Sequence, residues 1–197
     1  MYKLLIKNKH YMRRIVSLFI CCISAFVMYA QTEHMKFMGI PLNGTISSFQ
    51  SKLLSKGIKY DEVLSRHLGV GCRCFNGNFS GEKANIYVYY NDKTKTVYRA
   101  KAVIECSSKS VGENKYKEFE TMLNTKYSNG IKKDGEQDGH PSLLIAVPNE
   151  DETDVLGTVG MYISNAAYSY MDEVYLHIDY SDYTNEILYR KSNMDDL

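Results

Sequence analysis

The chain has 197 residues, with 24 Lys and Arg set against 23 Asp and Glu, and an aromatic content dominated by 17 tyrosines without a single tryptophan. That length supports one domain, or two small fused units, with a hydrophobic core that needs no disulfide to hold it. The net charge of +1 is too small, and too unevenly spread, to give the sustained basic surface that a general nucleic-acid binder needs.

Lys3, Lys7, Lys9, Arg13 and Arg14 precede an apolar run from Ile15 to Ala30, and polar Gln31-Thr32-Glu33 follows at once. This is the pattern of a secretory signal peptide, with cleavage expected after Ala30 although Met28 stands where a small residue is usual. Translation from Met1 or from Met12 leaves the same mature chain. The 16-residue run falls short of the roughly 20 residues of a spanning helix, and bulky Phe19 and Ile20 before Cys21 and Cys22 argue against lipidation. The mature protein is therefore expected in the periplasm or secreted, with no stable membrane span after cleavage. The removed segment holds five basic residues and no acidic ones, so residues 31–197 carry 19 basic against 23 acidic groups, a balance of −4. The two halves differ sharply, at +8 for 31–133 and −12 for 134–197, which fits docking of one half on the other or a polarised partner.

A short apolar run from Met35 to Ile40 leads to the turn Pro41-Leu42-Asn43-Gly44-Thr45, with Thr45 as a helix N-cap. Ile46, Phe49, Leu53 and Leu54 then recur at helical spacing, and Gly57 ends the helix. From Gly71 the period changes to two, predicting strands near 71–79, 82–90 and 95–106 joined by turns at Ser80-Gly81 and Asn91–Thr94. The second half repeats the plan. Tyr116, Phe119, Met122, Leu123 and Tyr127 mark a helix over 112–128 closed by Asn129-Gly130. A Gly- and Asp-rich loop follows, then strands near 142–148, 157–164 and 170–180, and a short helix from Thr184 to Arg190. The fold class is α+β: two α-β-β-β units, 31–110 and 111–197, forming one compact domain with a shared antiparallel sheet and helices on one face.

Alternation assigns the sheet's two sides. Ala84, Ile86, Val88 and Tyr90 should face the helices, together with Tyr98, Ala100, Ala102 and Ile104, Val159, Met161 and Ile163, and Val174, Leu176, Ile178 and Tyr180. The other side collects Tyr87, Tyr89, Arg99, Lys101, Tyr162, Tyr175, His177 and Asp179. Rings of this kind pack against sugars or partner side chains while their hydroxyls stay wet, which makes this face the candidate binding surface. The plainer reading is that tyrosine favours strands and that cross-strand pairs stabilise an exposed sheet by a few tenths to about 1 kcal/mol each.

No catalytic or cofactor motif is present: the chain lacks a nucleophile elbow, a zinc-binding His-Glu-x-x-His, a phosphate loop and a dinucleotide fingerprint. His177 with Asp179 offers at most a general base held by a carboxylate, and alternation places no serine or cysteine beside it. Cys72, Cys74 and Cys106 are the cysteines of the mature chain, and the strand register keeps them too far apart to pair. His67 with Cys72 and Cys74 lacks the spacing and the fourth ligand of a metal site, and neither DGEQDG (134–139) nor NEDETD (149–154) has the spaced oxygen ligands of a calcium loop. No cofactor and no metal are expected.

The stretch HMKFMGIPLNGT (34–45) ahead of an amphipathic helix and Lys-Gly, the YVYYND hairpin (87–92) and the closing YLHIDYSDYTN (175–185) resemble a group of uncharacterised exported proteins of gut-dwelling Gram-negative bacteria. The likeness covers most of the mature chain and implies location and architecture. The tandem helix-plus-sheet plan is also similar to that of the beta-lactamase inhibitory protein, which binds an enzyme through the open face of its sheet; this second likeness is one of architecture alone. The expected function is that of an exported, non-enzymatic binding module for a protein or a glycan. A small extracytoplasmic hydrolase using His177 and Asp179, and a structural envelope component, are the alternatives.

Overall fold

Thr45 accepts a hydrogen bond from the Ser48 amide at 3.3 Å and so starts helix α1 (Ile46–Ser55) at the position its sequence signals. In the computed structural model the described residues are 33–166 and 173–194. The expected signal peptide lies outside them, as do residues 170–172 of the last expected strand. Ahead of α1, strands β1 (Lys36–Phe37) and β2 (Ile40–Pro41) form a hairpin. Its turn puts Met38 and Gly39 in the left-handed region. The apolar run before α1 is thereby folded into the core, with Phe37 and Ile40 buried.

Two elements follow that periodicity did not reveal: strand β3 (Lys59–Asp61) and helix α2 (Glu62–Leu68). Both are too short for a period to show, but the Asp61 side chain caps α2 by accepting from the Leu64 amide at 2.8 Å. The main sheet then continues through β4 (Cys72–Phe79), β5 (Glu82–Tyr90) and β6 (Val97–Cys106). Helix α3 (Lys109–Lys126) is capped by Ser108 and buries Tyr116, Phe119 and Leu123. The segment read as a loop after it is strand β7 (Ile131–Gln137), exposed along its whole length at the sheet edge. No apolar alternation exists there to signal it. Strands β8 (His140–Pro148), β9 (Val155–Asn165) and β10 (Val174–Asp182) and helix α4 (Tyr183–Met194) complete the described residues.

The eight strands lie in the order β3-β4-β5-β6-β10-β9-β8-β7, antiparallel throughout. Each half contributes a meander, and the halves join where β6 pairs with β10, with Ala102 opposite Ile178 and Lys101 opposite Asp179. The fold is thus α+β with one shared antiparallel sheet. Residues from α1 and α3 share a single apolar cluster with the inward positions of both halves, from Ile86, Ala100 and Ala102 to Met161, Leu176 and Ile178. From His34 onward the described residues form one compact unit.

Three details depart from the alternation reading. Leu54 and Met122, placed on the buried helix stripes, are exposed at 47% and 41%, because each sits at the margin of its stripe where the sheet does not reach. The β5–β6 turn runs through Thr96 rather than Thr94, held by the Asn91 side chain, which accepts from the Lys93 and Thr94 amides. The register also slips: Tyr89 pairs with Arg99 but Tyr90 with Val97, leaving Tyr98 as the extra residue of a β-bulge. Val97 therefore enters the core in place of Tyr98. Tyr98 instead stacks on Tyr189 of α4, with ring centroids 4.4 Å apart.

That stack shows where α4 lies. Glu186 bonds to Ser181, whose side chain belongs to the tyrosine side, and Ser192 accepts from Asn91 at 2.9 Å. Helix α4 thus closes one end of the face opposite α1 and α3, so that side of the sheet carries a helix too. At the β4 side of the sheet, the Ser65 hydroxyl of α2 accepts from the Cys74 amide at 2.8 Å and donates to its carbonyl at 3.3 Å. The hydroxyl takes the place of a strand where β3 ends, which blunts an otherwise unpaired edge.

Candidate functional site

Pairing across β5, β6, β10, β9 and β8 arranges the outward side chains in rows. One row runs Tyr89, Arg99, Ser181, Thr158; the next Tyr87, Lys101, Asp179, Gly160, Leu144; a third Val103, His177, Tyr162, Ser142. Tyr175 stands one row further, opposite Glu105 and Ser164. All seven residues singled out from the sequence (Tyr87, Tyr89, Arg99, Lys101, Tyr162, Tyr175 and His177) are half-buried members of this layer. They are brought together because the halves meet at β6–β10, which places the cations of one beside the carboxylate and rings of the other.

The layer is internally bonded. Arg99 grips Asp179 in a bidentate pair, with Nε 2.8 Å from Oδ1 and Nη2 on Oδ2, while its guanidinium carbon lies 5.1 Å from the centre of the Tyr89 ring. The bonds from Asp179 hold the guanidinium above its ordinary pKa. Lys101 Nζ lies 5.7 Å from the Tyr87 ring centre. Burial, with the Arg99 charge beside it, lowers the Lys101 pKa. Burial pushes the Tyr89 phenol up to about 12 and raises those of Tyr87 and Tyr162. These three phenols are therefore neutral hydrogen-bonding groups at physiological pH.

His177 is held between aromatic rings and a hydroxyl. Its ring stacks on Tyr162 with centroids 4.4 Å apart and planes 10° from parallel, and Tyr175 meets it edge-on at 6.5 Å. Nε2 lies 2.8 Å from Ser164 Oγ, a serine that alternation did not place there, because Ser164 reaches diagonally from its own partner Tyr175. Nδ1 is buried without a partner. Burial, reinforced by the Lys101 charge, lowers the His177 pKa from 6.5 to about 4. The expected His177–Asp179 pair is not formed, since Asp179 is bonded to Arg99. A neutral imidazole with so low a pKa and no carboxylate at Nδ1 is a poor general base near pH 7.

Cys72 and Cys74 belong to this side of the sheet, opposite Tyr89 and Tyr87, whereas Cys106 is part of the core cluster. All three are buried free thiols. Burial first of all pushes the Cys72 and Cys74 thiols up to about 11, which leaves them protonated and unreactive.

Beside the aromatic layer lies a recess of about 490 Å³, whose lining includes Arg99, Gly160, Tyr162, Leu144, Asp179 and Glu186, with Lys133 and Gly135 from the edge strand. His177 is not part of that lining. Neither this recess nor its glycine was visible in the sequence, because one of its walls is β7, which carries no strand signal. No protein-family model matches the chain, and comparison with curated proteins and with solved structures likewise finds no match.

Proposed function

We propose that the protein is an exported, non-enzymatic binding module whose ligand, a protein or a glycan, meets the tyrosine side of the sheet. The observation that supports this most is the contiguous layer of four half-buried tyrosines, Tyr87, Tyr89, Tyr162 and Tyr175, on the side that α1 and α3 do not cover. A sheet face left merely to solvent has no need of so much ring surface, and tyrosine contributes large contact area with few rotatable bonds. Arg99 and Lys101 supply charge within the layer, and the packing among its members pre-orders it, lowering the entropic cost of association. Export to the periplasm or the exterior is the reading suggested by the basic and apolar N-terminal pattern; none of the described helices is long and apolar enough to cross a membrane. A nucleic-acid partner fits poorly with the −4 balance of residues 31–197.

Affinity capture from envelope extracts tests the reading. Protein comprising residues 31–197 is expected to retain a partner that Tyr87→Ala/Tyr175→Ala protein loses, with both showing the same circular dichroism. Equal recovery by the two proteins would remove the face from consideration.

A further inference from the structure

Gly160 occupies the middle of β9, in the interior of the eight-stranded sheet, with continuous register to Asp179 on one side and Leu144 on the other. A glycine there weakens a strand through backbone entropy and the loss of a packing side chain, by roughly 0.5–1 kcal/mol relative to alanine. Such a glycine is ordinarily explained by a bulge, a left-handed backbone or a close approach. None applies to the folded chain. Gly160 is neither at a register shift nor at positive φ, and a Cβ built on it would meet nothing nearer than Asp179 Cβ and Leu144 Cδ1, each at 3.9 Å. Three residues earlier, Gly157 shows the contrast: a Cβ there would lie 2.1 Å from the Ser181 carbonyl oxygen. The fold requires Gly157 and is indifferent to Gly160. What Gly160 does is open the floor of the recess, at the one position in its row where a side chain would otherwise stand between Asp179 and Leu144.

The walls describe what would enter. The Tyr162 ring, stacked on His177 on one side, and Leu144, 45% exposed, both line the recess and give it apolar surface. Opposite them stand hydrogen-bonding groups of both senses. The Arg99 guanidinium has five N–H donors, of which the two bonds to Asp179 use only part, and the Asp179 carboxylate keeps spare lone pairs. Ser142, Thr158 and Gln137 add hydroxyl and amide groups. The charged lining groups, Arg99 and Lys133 against Asp134, Asp179 and Glu186, leave no positive surplus to hold a phosphate or another anion. A flat apolar wall, fixed donors and acceptors, no net cationic field and a glycine floor fit a neutral molecule that has one C–H face and a rim of hydroxyls.

We infer that the recess over Gly160 is a saccharide site, in which a neutral sugar ring lies against Tyr162 and its hydroxyls bond to the Arg99–Asp179 pair. The site rests on the binding-module reading and adds to it one ligand class at one place on the face, apart from the ground that Tyr87 and Tyr175 hold.

The test uses purified protein comprising residues 31–197 and a panel of neutral probes: glucose, galactose, mannose, N-acetylglucosamine, N-acetylgalactosamine and their α- and β-linked disaccharides. Binding is followed by amide chemical-shift titration. At least one probe is expected to saturate, with the largest shifts at Gly160, Tyr162 and Leu144. Gly160→Val is expected to melt no lower than wild type and to weaken that binding by about tenfold or more, while Tyr162→Ala weakens it with the fold intact. Absence of saturation by every probe, undiminished affinity in Gly160→Val, or a Gly160→Val protein that fails to fold each overturns the assignment, the last because it would make the glycine structural. Tyr87→Ala/Tyr175→Ala protein separates the two claims. It should keep its saccharide affinity while losing the captured partner. Loss of saccharide binding from the assignment, with partner capture still dependent on Tyr87 and Tyr175, would leave the face reading standing without the pocket.

Discussion

His177 shows how a side chain's neighbours settle its chemistry. Enclosed by Tyr162, Tyr175 and Ser164 and close to the Lys101 charge, its imidazole resists protonation until about pH 4. The unfolded chain takes up that proton near pH 6.5, so between these values the unfolded state binds more protons than the folded one, and stability rises with pH. The contribution is fully present above pH 6.5 and is lost as the pH falls toward 4. Each unit of such a shift corresponds to about 1.4 kcal/mol, discounted here for partial solvent access, so the expected change is on the order of 2 kcal/mol. Urea unfolding across this window should show the slope in wild type and a flatter profile in His177→Gln, whose amide still reaches Ser164; equal slopes would refute the assignment. The cysteines give a second residue-scale prediction. Buried and protonated, Cys72, Cys74 and Cys106 should be silent toward a thiol reagent at pH 8 in the folded protein comprising residues 31–197, and all three should react once it is denatured.

At the scale of elements, the connection that matters most spans nearly the whole described chain. Asp182, fully buried, takes the Met35 amide and His34 Nδ1 on Oδ2, each at 2.9 Å, and with Oδ1 caps the first turn of α4 by accepting from the Asn185 amide at 3.0 Å. Asn185 in turn donates to the Leu42 carbonyl at 2.7 Å. One carboxylate thus anchors the β1–β2 hairpin and the helix that closes the end of the tyrosine face. Asp182→Ala leaves a buried amide and a helix end without an acceptor, and the expected loss is about 2–4 kcal/mol, read as a shifted midpoint in denaturant unfolding. A change within about 0.5 kcal/mol would mean that the network is incidental. The same helix depends on the Tyr98 bulge, since only the extra residue in β6 turns that ring toward Tyr189.

For the whole molecule, the two meanders are not independent bodies. Their inward residues belong to one apolar cluster and the last strands of the two, β6 and β10, pair with each other, so dividing them would expose both strand edges and the apolar residues they carry. Equilibrium unfolding should therefore be a single cooperative transition, with fluorescence of the tyrosines and far-ultraviolet circular dichroism coinciding. A fragment ending at residue 110 should not fold alone. Two separated transitions would show instead that each helix-and-meander unit carries its own stability.

Period alone determined much of this protein. The alternation in 82–90 and the 3.6-residue stripes of α1 and α3 depend only on local geometry and on the need to hide apolar surface, so the longer strands, the covering helices and the common side of all seven face residues could be assigned without coordinates. The short pieces β3 and α2 and the charged edge strand β7 escaped because they bury too little to carry a period. The register slip at Tyr98, the diversion of Asp179 from His177 to Arg99, the Ser164 contact and the recess over Gly160 were decided by tertiary structure. Each depends on which strands lie side by side, and an antiparallel order in which β6 meets β10 brings together residues some eighty positions apart whose attraction leaves no trace in either local pattern.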